Sequence, residues 1–186
     1  MNEWSVLGTL KAEPALDRKD LLARPVAEAL ERLDPADAAR VGVAEIDPEL
    51  ADTANFCAAY SSPLERSANC VVVSGRRSGE VRYAACLVLA TTRADVNGVV
   101  RRRLDVRKAS FAPMADAVAR TGMESGGITP LGLPADWPIF VDPAVVAAPA
   151  VVIGSGVRRS KLALPGSVVA SLPNVEVVEN LARPAA

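Results

Sequence analysis

Apolar residues recur at three- to four-residue spacing after Pro25, at Val26, Leu30 and Leu33. That period places them on one face of a helix, and proline suits its first turn. Residues 40–46 then predict a short strand and residues 48–60 a helix. Val71-Val72-Val73 and residues 83–91 are apolar runs of strand length. The polar run 74–80 between them, with Gly75 and Gly79, predicts the turn of a hairpin. Asp95 stands ready to cap a helix whose apolar stripe is Val96, Val99, Val100 and Leu104, with Arg101, Arg102 and Arg103 off the stripe.

The second half continues with a strand over 109–111 and a short helix over 113–121, closed by Gly122 in the manner of a C-cap glycine. Three strands are predicted over 139–141, 151–153 and 162–164. A helical turn or two over 167–172 and a last strand over 175–178 follow. Helices and strands mix without strict βαβ alternation, and some strands pair by hairpin. The predicted class is therefore α+β: a mixed, largely antiparallel, curled β-sheet flanked by helices. Residues 1–23 read as an N-terminal extension packed on the domain, and residues 24–186 as one domain, for which the length is suitable.

Composition narrows the chemistry. Half of the residues are hydrophobic but only 4% are aromatic, so Val, Ala and Leu must build the core. The formal net charge of −1 means that contact with nucleic acid needs a local basic patch. Histidine is absent, which removes Ser-His-Asp and Cys-His nucleophile systems and the commonest metal ligand. The three cysteines, Cys57, Cys70 and Cys86, form no CxxC pair, so neither a disulfide framework nor a zinc site is expected. The first residues lack the basic start and apolar run of a signal peptide. No apolar stretch reaches the ~20 residues of a membrane span. A cytoplasmic protein with no membrane partner, metal or cofactor is the expectation.

Four constellations are candidates for function, each with a plainer alternative. Gly126-Gly127-Ile128-Thr129-Pro130 can turn several N–H groups to one side and cradle a carbonyl oxygen, or can be an ordinary surface loop. Gly154-Ser155-Gly156 with Arg158, Arg159 and Lys161 can meet a phosphate, or can be a hairpin turn with solvated charges. It lacks the third glycine and the helix of a dinucleotide fingerprint. Arg101, Arg102 and Arg103 with Arg107 and Lys108 can touch RNA, or can be a solvated helix face. Ser67-Ala68-Asn69-Cys70 can line a pocket ahead of a buried strand, or can finish a loop. Without a histidine partner, Cys70 is not expected to act as a nucleophile.

Over roughly residues 24–183 the chain resembles the YbaK/prolyl-tRNA synthetase-associated domain family, YbaK/EbsC. The most specific part is Thr121-Gly122 followed by Gly126-Gly127-Ile128-Thr129-Pro130-Leu131-Gly132, which is similar to the family's Gly-x-x-x-Pro loop. Residues 137–142, 151–156 and 162–164 resemble the strands and glycine turn that follow. Asp47-Pro48 and Asn55-Phe56 resemble the cysteinyl-tRNA(Pro) deacylase branch.

The resemblance implies a trans-editing aminoacyl-tRNA deacylase. Its partner would be the aminoacylated 3′ end of the tRNA acceptor arm, with a prolyl-tRNA synthetase as a second candidate. It would be a monomer or weak homodimer. Gly126, Gly127, Ile128, Thr129 and Pro130 would form the carbonyl-binding loop, and a ribose hydroxyl of the tRNA would assist water attack. Phe56, Asn55, Cys70, Gly154, Ser155, Gly156 and Lys161 would bind substrate, and Arg101, Arg102, Arg158 and Arg159 would contact tRNA. One departure stands out: the family carries a lysine ahead of the buried strand, and here Asn69-Cys70 occupies that place. The alternative is therefore a binding module of the same fold that has lost catalysis. On this reading, Gly127→Ala removes activity with the fold nearly intact, and Asn69→Lys preserves or raises activity.

Overall fold

The computed structural model describes residues 2–185. Met1 and Ala186, at the ends of the predicted extension and domain, lie outside the described residues. The strands are β1 (Glu13–Pro14), β2 (Gly42–Glu45), β3 (Ala68–Arg77), β4 (Glu80–Leu89), β5 (Thr92–Ala94), β6 (Ala109–Phe111), β7 (Ile139–Val141), β8 (Val151–Gly154), β9 (Ser160–Leu164), β10 (Val175–Val177) and β11 (Ala182–Pro184). The helices are α1 (Arg24–Arg32), α2 (Pro35–Ala38), α3 (Thr53–Tyr60), α4 (Arg101–Leu104), α5 (Met114–Thr121), α6 (Pro143–Ala147) and α7 (Gly166–Ala170).

Two main sheets form, in the orders β10-β7-β4-β3-β6 and β1-β2-β9-β8, and β11 pairs with β5 alone. Among the described residues, the ladders of β7 with β4 and with β10 are parallel, and the ladders between the other named strands are antiparallel. A parallel bridge between Ser67 and Val152 carries the first sheet into the second, so β3 and β8 run side by side where the surface curls. The α+β expectation is met, with the sheet divided in two rather than continuous.

Alternation along β3 and β4 sorts their side chains onto two faces. Val73, Ala84, Cys86 and Val88 join Val100 and Leu104 in one apolar cluster. Ala68, Ala85 and Leu87 face the larger cluster, with Val26, Leu30, Val151, Ile153, Leu162 and Leu164. Both are built almost wholly from aliphatic side chains, as the low aromatic content requires. Residues 2–23 lie on this body: Leu7 is buried beside Phe56 and Ala163, and the Trp4 ring covers Gly42 while its Nε1 donates to the Arg40 carbonyl at 2.9 Å.

Three predicted elements differ in detail. The hairpin turn shrinks from 74–80 to Ser78-Gly79, whose φ values of 51° and 81° fit the tight turn that suits strand twist. The polar residues around it extend β3 and β4 beyond the core. The predicted helix over 48–60 breaks in two, because Asp47 caps a 3-10 turn at Glu49 and Asp52 caps α3 at Ala54. Asp95 caps as predicted, accepting from Gly98 and Val99. However, Val96–Val100 winds as a π-helix and only Arg101–Leu104 is α-helical.

Candidate functional site

The glycine loop after α5 and the β8–β9 hairpin are one assembly. Glu124 N–H donates to the Gly156 carbonyl at 2.8 Å, and Gly156 N–H donates to the Gly127 carbonyl at 2.7 Å. Arg158 adds two ties, from its N–H to Glu124 Oε1 at 3.1 Å and from Nη1 to the Ser125 carbonyl at 3.2 Å. Close approach explains the glycines. A Cβ on Gly154 would stand 2.6 Å from the Gly127 carbonyl oxygen, and one on Gly127 would stand 2.8 Å from the Val157 main chain. Gly126 adopts φ +84°, a left-handed turn that side chains other than glycine's adopt only under strain.

This geometry corrects two expectations. The Gly127 N–H is already spent, donating to the Glu124 carbonyl at 2.9 Å, so Gly127 braces the loop and offers no free donor. Gly127→Ala must therefore disturb the backbone rather than leave the fold nearly intact. Among the described residues, the N–H groups of Gly126, Ile128 and Thr129 meet no acceptor. Of these residues, Gly126 and Ile128 line a cavity of about 420 Å³ between the loop, β3, β8, β9 and the start of α3. Thr129 and Pro130 are buried behind the wall, with Thr129 Oγ1 lacking any partner among the described residues.

Asn69 enters the cavity from the start of β3, opposite Val88 of β4. Its Oδ1 accepts from Thr53 Oγ1 at 2.8 Å, which leaves the amide N–H groups for a ligand. Phe56 is fully buried on α3, and Cys70 follows Asn69 on the wall. Apolar surroundings push the Cys70 thiol up to about 12, so it stays neutral and is a wall rather than a nucleophile.

Lys161 reaches the same space from β9 and is buried. Its Nζ donates to the Ala51 carbonyl at 2.8 Å and lies 5.6 Å from the Phe56 ring centroid. The break between the 3-10 turn and α3 is what frees the Ala51 carbonyl. Desolvation holds this ammonium below the ordinary lysine value; nearby Arg158 pushes the same way, while Cys57 and Asp52 oppose it. Arg158 also lines the cavity, tied by Nη2 to the Pro48 carbonyl at 3.1 Å.

The other predicted residues are not brought to the cavity. Asn55 is exposed on the outer side of α3. The Ser155 hydroxyl lies 3.1 Å from the carbonyls of Val157 and Ser160, inside the hairpin, and Gly156 is buried against Ala23. Arg159 turns to the Asp20 carbonyl. Arg101 and Arg102 ride on a helix packed against the opposite face of β3–β4. Sequence reasoning missed Phe111 and Met114, which flank the cavity while 65% and 53% exposed. It also missed Thr53 and the Ala51 carbonyl. The chain has three phenylalanines, and nothing in the sequence marks Phe111 as the exposed one.

Among the described residues no helix is long and apolar enough to cross a membrane, and no cluster of three acidic or cysteine side chains could hold a metal ion. The family model described as the aminoacyl-tRNA editing domain matches residues 47–171, from the 3-10 turn before α3 to the end of α7. The chain belongs to the aminoacyl-tRNA editing domain family. Both the glycine loop and the cavity fall within the matched part of this editing domain.

Solved structures agree on the fold. A candidate trans-editing enzyme for prolyl tRNA synthetase is 20% identical with TM-score 0.70, over 84% of this chain and 94% of the other. The hypothetical protein APE2540 is 16% identical with TM-score 0.72, over 86% and 100%. A protein from work on epitope grafting onto scaffolds is 22% identical with TM-score 0.68, over 84% and 95%. No curated protein sequence matches significantly.

Proposed function

We propose that this editing domain is a trans-acting deacylase that hydrolyses the ester of a mischarged tRNA carrying a small amino acid. The observation that carries the reading is the pairing of unspent main-chain N–H groups at Gly126 and Ile128 with Asn69 on the walls of one cavity. Donors of this kind stabilise the oxyanion that forms at an attacked carbonyl, each worth about 3 kcal/mol. The cavity offers no histidine, and its cysteine is neutral, so the attacking group is water. In the reaction, water adds to the carbonyl carbon and the bond to the ribose oxygen breaks. That oxygen takes up a proton and the amino acid leaves as a free acid. A neighbouring ribose hydroxyl of the tRNA would assist the proton transfer. The cytoplasm, where charged tRNA resides, is the place of action, and a prolyl-tRNA synthetase is the candidate companion.

Phe111 and Met114 extend the site at its mouth. An exposed ring beside a cavity that admits an RNA 3′ end is a stacking platform for the terminal base. Phe111→Ala is expected to weaken binding of a tRNA acceptor-stem minihelix by about 1–3 kcal/mol. Melting should change little, since the ring is exposed. Unchanged affinity, measured by fluorescence anisotropy, removes the platform from the site.

The function itself is tested by incubating the protein with a panel of tRNAs charged with different small amino acids. Accelerated loss of at least one ester is expected. A folded protein that binds acceptor ends but releases no amino acid from any of them is a binding module instead.

A further inference from the structure

Lys161 is expensive for the fold and only partly used by it. An ammonium carries three donors. Here one donates to the Ala51 carbonyl at 2.8 Å, and among the described residues no carboxylate forms an ion pair with it. A buried cation with no ion-pair partner, helped only at longer range by Asp52 and Cys57, destabilises a folded protein, and an aliphatic side chain would fill the same place at lower cost. The remaining donors adjoin the cavity and meet no acceptor among the described residues: Phe56, Val152 and Ile153 on its wall are buried and apolar, while Asp52 and Ser67, also on the wall, make no hydrogen bond to Nζ. The group that completes this site must therefore bring acceptor oxygen.

Depth identifies that group. Phe111 and Met114, both exposed, mark the mouth, whereas Lys161 and Phe56, both buried, mark the inner end. If an aminoacylated RNA end enters, as the proposed function holds, its nucleotide stays near the mouth and the amino acid reaches inward. The α-ammonium of the ester is repelled by Lys161, so the side chain is the part that meets it. We infer that Lys161 is a specificity residue, and that the amino acid removed carries an accepting oxygen on its side chain, as a hydroxyl or a carboxylate does. An alkyl side chain of the same size would leave the remaining donors of the ammonium dry and unpaired. Sites that hydrogen-bond a substrate oxygen reject analogues lacking it by about 10⁴- to 10⁵-fold, whereas one methylene in an apolar pocket gives roughly 10- to 200-fold.

The test uses one tRNA charged in turn with serine, aspartate, alanine and 2-aminobutyrate, the last being close to serine in size. The kcat/KM for ester loss is measured alongside the affinity for amide-linked aminoacyl-adenosine analogues with the same side chains. Wild type should favour serine or aspartate over 2-aminobutyrate by more than about 100-fold. The aspartate and serine arms tell carboxylate from hydroxyl. Lys161→Met should melt normally and lose the preference in both assays. Lys161→Gln, which keeps a neutral donor, should retain a preference for serine and lose any for aspartate, and it replaces the methionine variant if that one fails to fold. The proposal is overturned if wild type handles 2-aminobutyrate as well as the oxygen-bearing residues, if the preference survives Lys161→Met, or if a preference for aspartate survives Lys161→Gln. Oxygen-selective analogue binding without any hydrolysis would sink the deacylase reading and leave the role of Lys161 standing.

Discussion

Gly127→Ala is expected to lose both stability and deacylation. The new methyl group would stand within 2.9 Å of the main-chain N, C and O of Val157. No side chain can swing away there; either the loop or the hairpin must move as backbone. Overpacking of this kind costs about 1–3 kcal/mol, which a melting curve reads directly. The move also drags Gly126 and Ile128 from their places on the cavity wall, and a shift near 1 Å in a positioning group can cost ~100-fold in rate. Gly126→Ala provides the contrast. The nearest atoms to its methyl group all belong to the Arg158 side chain, which can shift at the expense of its bond to the Ser125 carbonyl, although φ +84° adds strain of about 1–2 kcal/mol. A Gly127→Ala protein with normal melting and wild-type rates would show that this loop is neither braced nor used as described.

Asn69 is the second position with a large expected effect. Asn69→Ala deletes the acceptor of the Thr53 hydroxyl and the amide donors that face the cavity. A neutral hydrogen bond of this sort is worth about 0.5–1.5 kcal/mol, so a fall of roughly 2- to 13-fold in kcat/KM is expected. Asn69→Lys has a sharper meaning now that Lys161 and Arg158 are known to line the same cavity. A third cation there meets like charge, so the gain expected from the family pattern should be small in the wild-type background. It should become large once Lys161 is replaced by Met. Comparing the four proteins, singly and doubly substituted, measures that coupling. Additive effects would place the two residues in separate environments, and the shared cavity would lose its meaning.

Much of the architecture was legible because it depends on neighbours in sequence. The period of Val26 and Leu30 marked α1, Asp95 its cap position before Val96, and Gly122 the end of α5 with φ +69°. The Gly-x-x-x-Pro segment pointed to the family that the match over residues 47–171 shows. Where sequence reading slipped, competing local chemistry was the cause. Two aspartate caps cut one predicted helix in two, and two positive φ values at Ser78 and Gly79 tightened a turn that composition made look longer.

The composition of the cavity was decided only in three dimensions. Ala51 and Lys161 are 110 residues apart, and nothing in either stretch announces the other. The β2–β9–β8 sheet carries Lys161 beneath α3, and the Ser67–Val152 bridge brings Asn69 beside that sheet. Arg101 and Arg158 looked alike as basic residues in sequence, yet packing of α4 through Leu104 put one behind β3–β4 and hairpin closure brought the other to the cavity. Local backbone preferences act over a few residues and are written in the sequence as period, cap and turn. The meeting of distant side chains depends on which sheet edges pair and which faces bury, and only the packed chain settles that.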